Sequence, residues 1–420
     1  MNELMAFWAD WLRPSAGVPT VQWSVLLALA AAAGHLVQRY TGLPKVIGYS
    51  VVGMCAGLLG FPGAVWPLQG IALFLLELGV AVVLFEAGGR IPLRWFRHNP
   101  MVLVQSLLES GLAFFCTHAV LLWMDVPENV ALPVALVAMA ASPAVLSRVV
   151  MDTRASGPVT ERALTLTTLS TLYALSLGFA HAGLLGESER GITASLYPAA
   201  VVLGVSVAVG ALLALALRMA LRVMNPTSEN TSILLLALIA AAAATAAPLG
   251  GSAPLAALLG GMLLKQLNPR PWSWPRQLGT ASTLLTMLMF VLVSTVAAQA
   301  DWSVPVTGVV LAVIAARAVA KIVGVALANP GSGASWKQAL WTGCAMSPMS
   351  SVALLIASQF AASAPVLGAE IARIALPIIL LMEVLGAAIA TFALYRAGES
   401  SRPWQVAPLP ATSGGDVREP

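Results

Sequence analysis

Long apolar stretches, each closed by proline, glycine or a charged residue, follow one another along almost the whole chain. A transmembrane helix needs about 20 predominantly apolar residues, and thirteen stretches approach or exceed that length. They lie at 21–39, 43–60, 70–88, 101–124, 130–150, 162–185, 195–223, 231–248, 252–267, 278–299, 304–328, 337–360 and 371–396. The second, eighth and ninth are short for a full crossing. The pattern predicts an all-α integral membrane protein with about 13 transmembrane helices.

The basic residues are distributed unevenly among the loops between these stretches. If the N-terminus lies outside, only Arg13, Arg190 and Arg373 of the 22 Lys and Arg residues fall in outward loops. Arg317 and Lys321 fall within a span, and all the others lie on the inward side. Because cytoplasmic loops carry the excess of Lys and Arg, we expect a multi-pass inner (plasma) membrane protein with an outside N-terminus and a cytoplasmic C-terminus.

The composition agrees with this interpretation. Hydrophobic side chains make up 59% of the chain and charged ones 10%, whereas soluble domains carry about 25% charge. The net charge of +4 is not gathered into a basic patch, so we expect no nucleic-acid partner. No pattern of an enzyme, a cofactor or a metal site is present in the sequence. We predict one transmembrane domain over residues 1–400 and a short disordered cytoplasmic tail over 401–420.

Two spans carry a proline near their middle. Pro143 follows Ser142 in the fifth span, and Pro348 follows Ser347 in the twelfth. The two spans are seven apart, and an odd offset makes the halves enter the membrane from opposite sides. We therefore expect two inverted repeats with paired broken helices, which form the binding site of many transporters. The alternative is a pair of ordinary proline kinks.

Several charged side chains fall at membrane depth, where each must pair, approach the interface or line water. They are Glu77, Glu86, Glu109, Glu383, Arg317 and Lys321. Glu86 and Arg90, four residues apart, are expected to form an interfacial pair. Lys321 has two interpretations: a structural ion pair with one of the deeper carboxylates, or participation in ion binding where the broken helices cross.

Four segments, in order, cover essentially the whole chain and resemble a known family. They are 39–49 (RYTGLPKVIGY) continuing to Gly57, 76–88, 249–261 and 381–386. They are similar to monovalent cation:proton antiporter family 2, which includes sodium/proton exchangers. The resemblance implies a homodimer, a dimerisation domain, and a mobile core domain that exchanges a cation for protons across the lipid bilayer.

The chain departs from this family in the core. Members usually carry an aspartate in the helix after the first break, but residues 169–173 read Leu-Ser-Thr-Leu-Tyr. After the second break, Pro348 is followed by Met-Ser-Ser rather than by a carboxylate. The family's basic residue is matched by Lys321. Since hydroxyls do not titrate near working pH, coupling by the usual aspartate is in question.

Hydroxyl and carbonyl oxygens at the two breaks are the type of ligand that hard cations prefer. We therefore predict an ion or substrate site at the following residues: Ser142, Pro143, Ser170, Thr171, Ser347, Pro348, Ser351 and Lys321. We expect Glu77, Arg317 and Glu383 to be structural charges around that site.

Three functions follow from the sequence. The first is exchange of a monovalent cation, sodium or potassium, for protons. The second is movement of an anion or a sodium-coupled solute at a site centred on Lys321, which for an anion requires that Lys321 lack an acidic partner and face two helix N-termini. The third is a membrane scaffold that transports nothing.

Overall fold

The computed structural model describes residues 21–61, 64–91, 96, 99–185, 192–225, 228–268, 276–300 and 302–400. All regular structure in these ranges is α-helical. The helices are α1 (Val21–Thr41), α2 (Lys45–Leu58), α3 (Gly70–Gly89), α4 (Pro100–Trp123), α5 (Glu128–Met139), α6 (Pro143–Thr153), α7 (Pro158–Leu185), α8 (Ile192–Val223), α9 (Glu229–Ala246), α10 (Ala253–Leu267), α11 (Arg276–Ala297), α12 (Val304–Leu327), α13 (Trp336–Ala345), α14 (Ser351–Ser363) and α15 (Pro365–Arg396). The predicted tail, Arg13 and Arg190 lie outside the described residues.

Each of the thirteen predicted stretches contains a helix, and the fifth and twelfth contain two. Within the described ranges, nine segments are long and apolar enough to cross a membrane, with Glu128–Thr153 taken as one. The helices α2, α10 and α14 are apolar but shorter. The prediction of an all-helical, multi-pass membrane protein is confirmed.

Both predicted breaks are present, and they touch each other. The first separates Met139, the last residue of α5, from Pro143, the first residue of α6. The second separates α13 from α14 over residues 346–350. The backbone N–H of Ser142 donates to the Pro348 carbonyl at 3.0 Å. Because this bond joins one break to the other, the interpretation as two independent kinks is wrong.

The two breaks end their helices in different ways. Pro143 occupies the first position of α6, where a missing N–H costs nothing, and the Ser142 hydroxyl caps that helix by accepting from the Val145 N–H. Pro348 instead lies inside the second break, and α14 begins three residues later with no side-chain cap at Ser350. The second break therefore leaves more backbone outside regular structure.

The helix contacts repeat after eight helices, so that α1–α7 correspond to α9–α15. The packing of α2 on α11 is matched by that of α10 on α3, and the packing of α5 on α4 is matched by that of α13 on α12. Helix α4 of the first repeat corresponds to α12 of the second, so the contact between these two helices is unchanged when the repeats are exchanged. This is the arrangement of two inverted repeats, with α8 between them.

The contacts also divide the helices into two bundles. The scaffold bundle comprises α1–α3 and α9–α11, and the core bundle comprises α4–α7 and α12–α15. Helix α8 packs on α10 of the scaffold bundle and on α7 of the core bundle. Within the scaffold bundle, α3 and α10 approach so closely that a Cβ atom at Gly261 would overlap the Phe85 carbonyl, as expected of membrane helices packed through small residues.

The chain after α15 returns to the start of α7. The Glu399 carboxylate accepts hydrogen bonds from the backbone N–H groups of Val159 and Thr160 at 2.8 and 2.7 Å. The Ser156 N–H donates to the Glu399 carbonyl at 3.0 Å. The first N–H groups of a helix lack partners within the helix, and a negative charge is favourable there. Glu399, which follows the last helix of the core bundle, therefore caps the start of α7.

Candidate ion-binding site

Arg317 of α12 lies between the two breaks and is fully buried. Its guanidinium donates to the carbonyls of Ala138 and Ala140, at 2.7 and 2.8 Å, and to the Ser347 carbonyl at 2.6 Å. A longer bond of 3.4 Å reaches the Pro348 carbonyl. Carbonyls at the C-terminal end of a helix carry partial negative charge. Arg317 therefore stabilises both breaks at once and fixes their separation.

Lys321 lies one turn further along α12, and its partner is Glu109 of α4. The Nζ atom is 2.7 Å from Glu109 Oε2, and both side chains are buried. The same Nζ atom donates to the Met139 carbonyl and to the Ser170 hydroxyl, each at 3.3 Å. Gly324 permits this contact, because any Cβ at that position would overlap the Glu109 backbone.

This pair bears out one of the two interpretations of Lys321, and its participation in ion binding stays a prediction. The structural ion pair is present, with Glu109 rather than Glu77 or Glu383. The anion hypothesis required a Lys321 without an acidic partner and near the N-terminal ends of half-helices. Instead, Glu109 neutralises the ammonium group, and the backbone atom next to it is the carbonyl of Met139 at the C-terminal end of α5. The premise of an anion site therefore fails.

The predicted hydroxyls of α7 hold the first break. Ser170 donates to the Met139 carbonyl at 3.0 Å, and Thr171 donates to the Ala141 carbonyl at 2.9 Å. Both side chains are fully buried. A Thr171 hydroxyl has one proton, so its alternative bond to the Thr167 carbonyl competes with the bond to the break. These hydroxyls satisfy backbone groups that the interrupted helix leaves free.

At the second break, the carbonyls of Ser347 and Pro348 are engaged by Arg317, as described above. The hydroxyls of Ser350 and Ser351 are buried without a hydrogen-bond partner. Buried polar atoms without a partner are rare in folded proteins and call for an explanation. The core bundle thus has two buried hydroxyl oxygens at the second break that lack a hydrogen-bond partner within the described ranges.

Glu383 of α15 has no basic partner in the described part of the chain. Its Oε1 atom accepts from the hydroxyls of Ser50 on α2 and Ser294 on α11, at 2.7 and 3.2 Å. Its Oε2 atom is buried and unpartnered, and the side chain has no exposed surface. Since α15 belongs to the core bundle and both serines to the scaffold bundle, Glu383 joins the two bundles.

Glu77, the remaining predicted charge, lies on α3 of the scaffold bundle and is partly exposed. It pairs with neither Arg317 nor Lys321. Conversely, Glu109, Ser50 and Ser294 were not among the predicted site residues. The depth of Glu109 in the fourth span was a usable signal, whereas single serines in apolar helices give none.

A cleft with an empty volume of about 750 Å³ opens between the bundles. The scaffold helices α3 and α11 form one wall, and the core helices α6 and α7 form the other. Hydroxyls such as those of Thr168 and Thr286 line it, and it reaches Pro143 at the first break. The predicted pair of Glu86 and Arg90, 2.6 Å apart, lies along it and is confirmed. The cleft provides a path to the first break.

Two broken helices in inverted repeats, which touch at their breaks and are reached by a cleft between the bundles, define the architecture of a secondary transporter. The chain matches the model of the sodium/hydrogen exchanger transmembrane family over residues 25–396 and belongs to that family. The predicted resemblance is thereby confirmed.

Solved structures show the same fold. The chain is similar to the sodium proton antiporter MjNhaP1 from Methanocaldococcus jannaschii at pH 8, with a TM-score of 0.65, 16% identity, and coverage of 94% of this chain and 99% of that one. An electron-microscopy structure of the same antiporter gives a TM-score of 0.59, 17% identity and 96% coverage of both chains. None of the curated protein sequences matches the chain.

Proposed function

We propose that this protein exchanges a monovalent cation, sodium or potassium, for protons across the plasma membrane. The observation that carries the proposal is the junction of the two breaks, where Arg317 binds the carbonyls of both half-helices next to the buried Glu109–Lys321 pair. This junction brings the carbonyls of interrupted helices, buried charge and hydroxyl oxygens together within one core, and the family membership supports the same function.

The proposed chemistry is competition at a carboxyl group. Cation binding favours the ionised carboxylate and releases its proton, and proton binding expels the cation. The helix that usually carries an aspartate presents Ser170 and Thr171 here, so the buried carboxyl groups of the core bundle are those of Glu109 and Glu383. Carbonyl and hydroxyl oxygens at the breaks complete the type of ligand set that sodium or potassium accepts.

Proteoliposomes with an internal pH-sensitive dye test this function. With an imposed proton gradient, addition of sodium or potassium chloride should alkalinise the proton-loaded side, and choline chloride should not. The exposed variant Glu229→Gln, on α9 far from the junction, serves as the matched control and should behave as the unchanged protein. Failure of every monovalent cation to move protons in either direction would refute the proposal.

We also propose a homodimer with an outside N-terminus. The three native cysteines, Cys55, Cys116 and Cys344, would first be replaced by serine. Gly279→Cys, at the exposed end of the cleft, should then react with a membrane-impermeant maleimide only from the cytoplasmic side. Reaction from the outside alone would reverse the proposed orientation, and cross-linking in native membranes would test the dimer.

A further inference from the structure

The carboxyl group of Glu383 is in an unusual position for a membrane protein. It is fully buried, it lies in the middle part of α15, and no cation of the described residues contacts it. Two hydroxyls donate to Oε1, and none of the described groups donates to Oε2. The described residues therefore supply hydrogen-bond donors to one carboxyl oxygen of Glu383 and not to the other.

An ionised carboxylate without a counter-charge is strongly disfavoured in such surroundings, because two hydroxyl donors do not replace the water that it loses. Two states remove the penalty. In one, a proton occupies Oε2 and the group is a neutral acid. In the other, a cation without its water shell lies against Oε2, and the charges cancel.

Oxygen atoms for the second state are already in place. The Ser350 hydroxyl lies against the Glu383 carboxyl group, within reach of it as a donor, and it has no other hydrogen-bond partner among the described residues. The N–H of Met349, in the second break, points to the Met382 carbonyl at 3.5 Å and keeps the break against this part of α15. The Ser350 hydroxyl of the break and the Glu383 carboxyl group therefore lie side by side.

We propose that Glu383 is the exchanging carboxyl group of this transporter, at which one proton and one monovalent cation compete. The inference rests on the proposed function and assigns its coupling site. In the balanced step, the neutral acid gives its Oε2 proton to a water molecule, and the cation takes the place of that proton against the carboxylate. The reverse step releases the cation.

None of the described charged groups on helices that pack against α15 forms an ion pair with Glu383. Arg317 binds the breaks and Lys321 binds Glu109, as described above. On α6 and α2, the Asp152 carboxylate accepts from the Lys45 N–H at 2.8 Å. Neither these groups nor Arg148 makes an ion pair with Glu383. The scaffold side contributes only the neutral hydroxyls of Ser50 and Ser294.

The contact with the scaffold bundle gives this exchange a mechanical consequence. The hydrogen bonds from Ser50 and Ser294 cross from one bundle to the other, so any sliding of the core bundle must break them. Occupancy of Oε2 by a proton or a cation leaves a neutral group to be moved past the apolar scaffold helices. A bare carboxylate would hold the serine hydroxyls more tightly, since hydrogen bonds to charged groups are stronger.

The test compares Glu383→Gln with the Glu229→Gln control in the same proteoliposomes. Glu383→Gln should lower sodium- or potassium-driven proton flux by about 100-fold or more, and the control should not. The second readout is thermal unfolding in detergent with and without sodium or potassium chloride. The stabilisation by cation should depend on pH in the unchanged protein, and this dependence should vanish in Glu383→Gln.

A further variant tests the inference without changing Glu383 itself. Ser50→Ala with Ser294→Ala deletes both donors to the carboxylate, disfavours the ionised form and should move the pH of half-maximal exchange upward. Flux and pH dependence in Glu383→Gln equal to those of the unchanged protein would overturn the inference, as would an unmoved pH midpoint in the double variant. Absence of exchange in the unchanged protein would instead refute the proposed function, while the cation-dependent unfolding would still test the site.

Discussion

Removal of either partner of the Glu109–Lys321 pair should destabilise the core bundle severely. The two atoms are 2.7 Å apart, and the side chains are 0% and 1% exposed. Glu109→Gln leaves a buried ammonium group without its counter-charge, and Lys321→Gln leaves a buried carboxylate. Breaking a buried pair from one side costs about 3–5 kcal/mol, so we expect each single variant to lose that amount of unfolding free energy.

The double variant Glu109→Gln with Lys321→Gln isolates the interaction energy between the two side chains from the effects of each substitution alone. It leaves no unbalanced charge, so its cost should be smaller than the sum of the two single costs by about 2–3 kcal/mol. The measurement is unfolding in mixed micelles of dodecyl sulfate and a mild detergent, followed by circular dichroism. The four proteins form a complete double-mutant cycle.

Glu86→Gln with its partner variant Arg90→Gln provides the matched control. Its charged atoms are 2.6 Å apart, close to the 2.7 Å of the buried pair, but its side chains are 30% and 42% exposed. Solvent screening reduces such a pair to about 0–1 kcal/mol. If the buried variants cost no more than this control, or if the double variant equals the sum of the singles, the pair does not stabilise the core as described.

Three further substitutions test the fold around the site. Arg317→Lys keeps the charge but cannot bridge the carbonyls of both breaks, so it should cost about 3 kcal/mol in the same micelle assay, whereas exposed Arg222→Lys should cost almost nothing. Glu399→Ala removes the cap of α7 and should cost about 1 kcal/mol, with faster amide exchange confined to the first turn of that helix. Gly261→Ala must displace α3 from α10 and should lower thermal stability, whereas Gly111→Ala meets open space and should be neutral or stabilising by up to about 1 kcal/mol. An unchanged Gly261→Ala protein would contradict the close packing of these two helices.

The spans, the breaks and the repeat were predictable because each leaves a local mark on the sequence. Runs of apolar residues give the spans, and Pro143 and Pro348 give the interruptions. The partner of Lys321 left no such mark. Glu109 lies 212 residues away in the chain, and sequence gives the depth of a side chain in its span but not the direction in which the helix turns it.

The site was predicted only in part for a related reason. Ser170 and Thr171 are predicted as cation ligands because hydroxyl oxygens gather at the paired breaks, and the structure shows them donating to carbonyls of the first break. Whether they also bind an ion stays a prediction. Ser50 and Ser294 donate to Glu383 from helices of the scaffold bundle. A single serine in an apolar helix carries no sequence pattern that would mark it as part of a site.

The cap that Glu399 places on α7 ties the residues that follow α15 to the start of a helix from the opposite repeat. Position 400 is therefore held against the core bundle and not against the scaffold bundle. On the proposed function, a fluorophore or a spin label at position 400 moves with the core bundle, and its distance to a second label on α9 reports that movement.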